Sequence, residues 1–335
     1  MIILIGGTSF IGVYTVDEFL KQGKKIAVTG RNNKFRSYYE SLGVDYYNLD
    51  ITKPEDFDNL PTQDVEAVIL LSALLPANAT ADLENDENAK DYFEVNTIGT
   101  INVLEFCRKN NIKKLLSTTS YADVQNSWTS EYPLTESVPR DYNYSGDHAV
   151  YVFSKNAACD VMEYYNQQHG MRNAWFRLPP VYGVGPHGSL FVNGKKVKSG
   201  LQIFIEKASS GEDITIYGNP QLTRDVVYVK DVAHAFYCAY NNDHAAGLYN
   251  MTSGTPVTLV DQVQTIIDVF SKNHQKTSNI LYNSNVTNNT SSYLFSMEKA
   301  KNDFNFVPKY SKFKDMMLDY KKDLDNEKHK ELFNY

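Results

Sequence analysis

Cysteine is scarce: three in 335 residues, at Cys107, Cys159 and Cys238. None stands at metal or redox spacing from another, and each sits in an apolar helical pattern (LEFCRK, NAACDV, FYCAY). That excludes a disulfide scaffold and a cysteine metal site, and predicts buried thiols in a reducing compartment. Positive charge is also short. Against 40 Asp and Glu there are 33 Lys and Arg, a net charge of −7, whereas a nucleic-acid partner needs a basic stripe to neutralise phosphates. The run KKVK (Lys195–Lys198) is too brief to be one. Long hydrophobic runs are missing too. The opening MIILIGGTSFIG has no basic segment before it and turns into a glycine loop within five residues, so neither signal peptide nor membrane span is expected. The cytoplasm is the expected location, and triplets such as Asn78-Ala-Thr then carry no glycosylation meaning. There is no internal repeat and no low-complexity linker.

What is present alternates. Ile2 to Ile5 is a short, fully apolar run that fits a buried parallel strand. Gly6-Gly7-Thr8-Ser9-Phe10-Ile11-Gly12 follows at once, then a helical pattern through Val16, Phe19 and Leu20. Strand, glycine turn and helix place backbone N–H groups and a helix N-terminus where a pyrophosphate binds. Gly6 allows the tight turn and Gly12 lets the helix pack close; Ser9 takes the middle position, usually glycine, with a hydroxyl that can donate to phosphate. Further strands are predicted at Lys25–Thr29, Val44–Leu49, Val65–Leu71 and Ile112–Ser117, with Tyr92–Lys109 the clearest helix between them. This repetition predicts an α/β fold, a Rossmann-type doubly wound parallel sheet with its ligand at the carboxyl ends of the strands. NAD-binding chains usually place an acid at the end of the second strand. Here Thr29-Gly30-Arg31-Asn32 stands there, and a guanidinium at Arg31 suits a ribose 2′-phosphate, which tips the expected cofactor from NAD toward NADP.

In YVFSK, Tyr151 and Lys155 lie four apart, on one face of a helix, where an ammonium can hold a phenol below its usual pKa of about 10. Spacing alone proves little, since Tyr310 and Lys314 (YSKFK) repeat it.

With the glycine loop and YVFSK in one chain, the sequence resembles the extended short-chain dehydrogenase/reductase superfamily, its NAD(P)-dependent nucleotide-sugar epimerase/dehydratase group. The match runs through nearly the whole chain. Asp50-Ile51 resembles the adenine-contacting acidic segment. Val68-Ile-Leu-Leu-Ser-Ala73 resembles the fourth strand, which puts Leu71, Ser72 and Ala73 along the cofactor. Asn96-Thr-Ile-Gly-Thr100 resembles the NVxGT helix start. Ser120 falls where the family carries its catalytic Ser or Thr, with Thr119 one residue off. Arg177-Leu-Pro-Pro-Val-Tyr-Gly183 resembles the turn flanking the nicotinamide, through Pro179 and Val181. Ile216 to Asp231 resembles the YGxGxxxRDxVYVxD signature, with Arg224 on the substrate diphosphate. The resemblance implies that Ser120 hydrogen-bonds the substrate oxygen with Tyr121 beside it, that Tyr151 moves its proton, and that Lys155 lowers the phenol and holds the nicotinamide ribose. Tyr310–Lys314 has no such setting and reads as a decoy.

Departures narrow the reaction. Family dehydratases carry Asp-Glu straight after the catalytic hydroxyl; Tyr121-Ala122 stands here, which disfavours 4,6-dehydration and decarboxylation. Certain epimerase-reductases pair a Cys one residue after the Ser with a downstream His; Tyr121 takes the first place, and His187 aligns with the second only after a shift. Pro180 replaces an Asn that contacts the diphosphate in many relatives, and Val124-Gln125 replaces a Tyr-Gly. The expected activity is NADPH-dependent reduction of a 4-keto nucleotide sugar, with an NAD-retaining 4-epimerase as the alternative. A non-catalytic dinucleotide sensor on the same fold is a third class, but such proteins lose the Tyr or the Lys. The expected division is a cofactor domain over 1–178 with about 223–240, and a smaller carboxy-terminal substrate domain over about 179–222 and 247–335. The tail after Asp319 reads as a solvated charged helix. The family pairs the helices Tyr92–Lys109 and Val150–Gln168 across a homodimer, so a second copy is the expected partner beside the nucleotide sugar.

Overall fold

Ile2–Ile5 is apolar and buried at every position, which a strand satisfies only when it has neighbours on both edges and cover on both faces. The computed structural model describes residues 1–76, 89–146, 148–186, 188–192, 195–271, 277–286 and 291–333, and this strand, β1, lies inside a seven-stranded sheet. Its other members are β2 (Ile26–Gly30), β3 (Asp45–Asn48), β4 (Ala67–Leu70), β5 (Leu115–Ser120), β6 (Ala174–Leu178) and β7 (Gly247–Asn250). All pairs are parallel, in the order β7-β6-β5-β4-β1-β2-β3. The winding reverses between β1 and β4, and ligands of doubly wound sheets bind at the carboxyl ends of the strands at such a point. The expected doubly wound Rossmann architecture is the one observed.

Seven helices matter below: α1 (Phe10–Lys21), α2 (Gly99–Lys109), α3 (Ala149–His169), α4 (Gly200–Ser210), α5 (Val229–Tyr240), α6 (Leu259–Phe270) and α7 (Phe313–Asp325). The period-2 alternation of β1 sorts the core. Ile2 and Leu4 pack with Val13, Val16 and Phe19 of α1 and Val232 and Phe236 of α5. Ile3 and Ile5 pack on the other face with Val103, Leu104 and Cys107 of α2 and Cys159 and Met162 of α3. A separate apolar cluster joins α4, α6 and α7 through Ile205, Ile266, Ile267, Met316 and Met317. The motif after Thr223 returns to the sheet end: Val227–Tyr228 pairs in parallel with Val181–Tyr182.

Four expectations change in detail. β5 begins and ends three residues later than Ile112–Ser117. Asn111 takes φ +57° and the Ile112 N–H still donates to the Cys107 carbonyl of α2 at 2.9 Å, so the ladder starts at Leu115 and carries Ser120 at its end. The Tyr92–Lys109 helix is not uniform: Phe93–Ile98 is a π-helical stretch leading into α2, a distortion common beside functional sites. The tail is not a solvated helix. After α7 it turns back so that Leu332 and Phe333 are buried, held where Lys328 meets Asp17 at 2.7 Å and the His329 ring lies edge-on to Tyr14 at 5.0 Å. Cys238 is only partly buried, unlike Cys107 and Cys159. Among the described residues no helix is long and apolar enough to cross a membrane. No cluster of three metal-ligating side chains forms among them either. His187 and Asn78 lie outside the described residues.

Candidate active site at the carboxyl edge of the sheet

The glycine turn closes because two positions exclude side chains. Gly6 has φ +82°, and a Cβ there would stand 2.6 Å from the Ser72 backbone nitrogen; one at Gly12 would stand 2.5 Å from the Gly6 oxygen. The ends of β1 and β4 therefore touch, and α1 starts directly above them. Ser9 caps α1 by accepting from the Gly12 N–H at 3.1 Å, so its hydroxyl hydrogen remains for a ligand. Thr8 sits beside Gly30, and the Phe10 and Ile11 side chains pack on protein. What they can offer a phosphate is the amide end of the helix.

No carboxylate stands among Thr29–Asn33. Thr29 Oγ1 accepts from the Gly6 N–H at 3.4 Å, and Arg31 is exposed without hydrogen bond or ion pair among the described residues. Asp50 spends one carboxylate oxygen on the Thr52 N–H and hydroxyl, at 3.1 and 2.8 Å, and the neighbouring Ile51 is buried against Gly99. Leu71, Ser72 and Ala73 follow β4 half-exposed at the sheet edge. Asn96, expected on the cofactor, has another job. Its amide donates to Ser154 Oγ at 2.9 Å and to the Leu74 carbonyl at 3.1 Å, and its oxygen accepts the Leu74 N–H at 2.7 Å. With both donors committed to protein, it braces the loop after β4 against α3.

The side chains expected to react come from β5 and α3. Strand alternation turns Thr119 inward, 4% exposed, while Ser120 ends the strand and accepts the Ala122 N–H at 3.2 Å. Ser120 lines a cleft of about 310 Å³ with Tyr121, Trp128, Asn143 and, from the start of α3, Ala149 and Val152. Tyr151 lies in that same first turn, its ring 6.5 Å from Tyr92. Lys155, one turn on, is 5% exposed and has no hydrogen-bond or ion-pair partner among the described residues. Burial pushes its ammonium below the ordinary lysine value and pushes the Tyr151 phenol up. The influences on the phenol are burial, then Cys159 and Tyr92, all raising it, and the expected lowering by Lys155 is not among them.

Lys114 shows what a structural lysine looks like in the same molecule. It too is buried, at 4%, but its Nζ donates to the carbonyls of Ala239, Tyr240 and Asn242 at 3.0, 3.1 and 2.6 Å, capping the carboxyl end of α5. Lys155 has no such partners among the described residues, so its donors are left for a ligand, and ribose hydroxyls of a dinucleotide would accept from them. Together with the glycine turn, the residues fit a nicotinamide dinucleotide.

On the far side of the cleft, Tyr121 stacks on Trp128 at 4.7 Å and 14°, and Tyr293 meets both rings at 5.1 Å. Arg224 stands beside this shelf. Burial pushes Tyr182 up, and a hydrogen bond and the positive charge from Arg224 pull it back. Tyr182, Tyr293 and Trp128 were not singled out in the sequence; the one available signal was a tryptophan, one of two in the chain, eight residues past Ser120. Pro179 is buried and Val181 half-buried at the turn after β6. That turn is held by Arg177, 1% exposed, which pairs with Asp123 at 2.9 Å and donates to Asn250 at 3.0 Å. The two aspartates of the RDxVYVxD signature are brackets rather than chemistry. Asp225 accepts from Ser253 and the N–H groups of Gly254 and Phe295, and Asp231 from the N–H groups of Lys309 and Tyr310.

The sequence profile of the NAD dependent epimerase/dehydratase family matches residues 2–251. A Methanocaldococcus jannaschii protein provisionally named UDP-glucose 4-epimerase is 30% identical over 249 residues, 72% of this chain and 73% of that relative. UDP-glucuronic acid decarboxylase 1 of Xenopus tropicalis is 25% identical over 249 residues, 72% of this chain, and the chain spans 54% of that relative's length. The solved structure of UDP-glucose 4-epimerase with UDP-glucose from Thermotoga maritima shares the fold, with a TM-score of 0.75 over 96% of this chain and 99% of that one at 19% identity.

Proposed function

The chain belongs to the NAD-dependent epimerase/dehydratase family of short-chain dehydrogenase/reductase enzymes, and we propose that it carries out hydride chemistry at C4 of a nucleotide sugar. The observation that carries this reading is Lys155, a buried ammonium without a protein partner, one helical turn from Tyr151 on the helix that faces Ser120. A nicotinamide dinucleotide, when bound, would supply or take the hydride. Ser120 would donate to the C4 oxygen and Tyr151 exchange a proton with it, while Lys155 would hold the ribose and balance charge at the phenol. Arg224 takes the diphosphate, and the Tyr121–Trp128 shelf bounds the sugar pocket. With Tyr121 and Ala122 in place of two carboxylates, nothing there expels water or carbon dioxide.

One feature favours the reductase direction: an exposed Arg31 with no carboxylate beside it suits the 2′-phosphate of NADPH. The names of the relatives favour the second reading, a 4-epimerase that retains NAD. Denaturing the purified protein and identifying any released nucleotide by mass spectrometry separates them. Near-stoichiometric NAD selects the epimerase, whereas an empty protein that binds NADPH more tightly than NADH selects the reductase. Failure to bind either sinks both. Phe93 and Ile98 stand 38% and 42% exposed beside α2, the surface for the expected second copy, which analytical ultracentrifugation counts.

A further inference from the structure

The half-exposed thiol of Cys238 has company. On α5, Cys238 follows His234 by one turn, and its Sγ lies 3.4 Å from His234 Nε2. The other ring nitrogen, Nδ1, lies 2.9 Å from Glu18 Oε1 of α1. Burial would raise Glu18, but hydrogen bonds from His234 and Gln22, with Lys21 nearby, hold it below the ordinary carboxylate value. An ionised Glu18 can only accept, so Nδ1 carries a hydrogen toward it and the opposite nitrogen, Nε2, faces the thiol. Tyr237 stacks on the imidazole at 6.3 Å and 27° and restrains its orientation. Nucleophile, imidazole and orienting carboxylate thus stand in sequence within hydrogen-bond reach. The hydrogen bond with Cys238 and the pairing with Glu18 push His234 up to about 9 against the effect of burial, so at neutral pH the ring is an imidazolium whose charge favours a thiolate beside it.

We propose that Cys238 is a site of covalent modification, a nucleophilic thiol activated by His234 and Glu18 that forms a mixed disulfide with a low-molecular-weight disulfide. His234 and Glu18 line a cleft of about 480 Å³ whose walls do not include Cys238; the thiol is reached through its own partial exposure. The thiol proton is lost to water, the His234 imidazolium pairs with the thiolate, and Sγ attacks one sulfur of the disulfide. The S–S bond breaks, a new bond joins Cys238 to that half, and the other half leaves as thiolate and takes a proton from water. Cys238 is oxidised and the departing thiol reduced, with no other reactant. The site lies with α1 and α5 on the sheet face opposite α3, so it is separate from Tyr151 and Lys155.

Timed alkylation of the native full chain with limiting iodoacetamide, read by peptide mass spectrometry, tests this. At pH 7 Cys238 should react about tenfold faster than glutathione under the same conditions. Cys107 and Cys159, both buried with thiols pushed up by desolvation, should stay unlabelled until the protein is denatured. His234→Gln should bring Cys238 to the rate of an ordinary thiol, with Glu18→Gln between. Incubation with glutathione disulfide should place one glutathionyl group on Cys238 and none on Cys238→Ser. A wild-type Cys238 no faster than glutathione overturns the proposal without recourse to any variant. An unchanged rate in a folded His234→Gln overturns the role of the imidazole.

Discussion

Tyrosine precedes lysine by four residues at Tyr151–Lys155 and again at Tyr310–Lys314, and the two regions use that spacing in opposite ways. Tyr151 and Lys155 both belong to α3, so the spacing puts them on one face. Tyr310 lies in the turn before α7, which begins at Phe313, so there the same spacing aligns nothing. Around Tyr310 every polar handle is occupied: its hydroxyl donates to Asp319 at 3.0 Å, its N–H to Asp231 at 2.9 Å, and Lys314 is exposed. Lys155 is buried with nothing to hold. An unpartnered charge inside a folded protein marks a place where stability is spent on something other than folding.

That contrast predicts crossed outcomes. Tyr151→Phe and Lys155→Met should each lower turnover of a nucleotide sugar by about 10²–10⁴-fold, with melting temperature held for the first and held or raised for the second as the buried charge disappears. Tyr310→Phe should leave turnover within about twofold and lower stability by about 1 kcal/mol as Asp319 loses a donor. If Lys155→Met instead melted lower with turnover intact, the two regions would be alike and the site reading would fall.

A smaller effect sharpens the substrate side. Arg224→Lys keeps the charge but loses the planar fork, so KM for the nucleotide sugar should rise about tenfold with kcat little changed. Steady-state kinetics separates this from a loss of fold, which would lower both kcat and active protein. Smaller again is Arg31→Ala. A solvent-exposed pairing is worth about 1 kcal/mol, so preference for NADPH over NADH should fall several-fold by fluorescence titration, and an unchanged ratio would remove Arg31 from cofactor choice.

The cofactor side was more legible than the substrate side, for a physical reason. A glycine turn, a buried parallel strand and a helical Tyr–Lys pair are local, and each states its constraint within a dozen residues; the doubly wound parallel architecture follows from the repetition of strand and helix around them. The aromatic shelf does not. Tyr121, Trp128, Tyr182 and Tyr293 come from segments spread over 170 residues and meet only through tertiary packing. For Asn96 the motif was visible, but the Leu74 and Ser154 groups that take its amide hydrogens were not. The solvated reading of the tail failed because charged residues alternate there with Leu332 and Phe333, which bury against the core.

Asp231 carries the finest test, because it anchors the Tyr310 backbone that makes the second region structural. Burial is the largest influence on it and raises its carboxyl to about 6, although the N–H groups of Lys309 and Tyr310 pull the other way. A folded value above the unfolded 3.8 means that the native state holds the proton more tightly. Its stabilising contribution is therefore complete below the unfolded value and declines as pH rises through about 6. Asp231→Asn turns an amide N–H₂ toward two backbone donors and removes the titration. The variant should be less stable by about 1–3 kcal/mol, and its deficit relative to wild type should shrink between about pH 4 and pH 6.5 in urea unfolding. A deficit that grew over that range would mean that the two backbone donors outweigh burial and hold the carboxylate ionised.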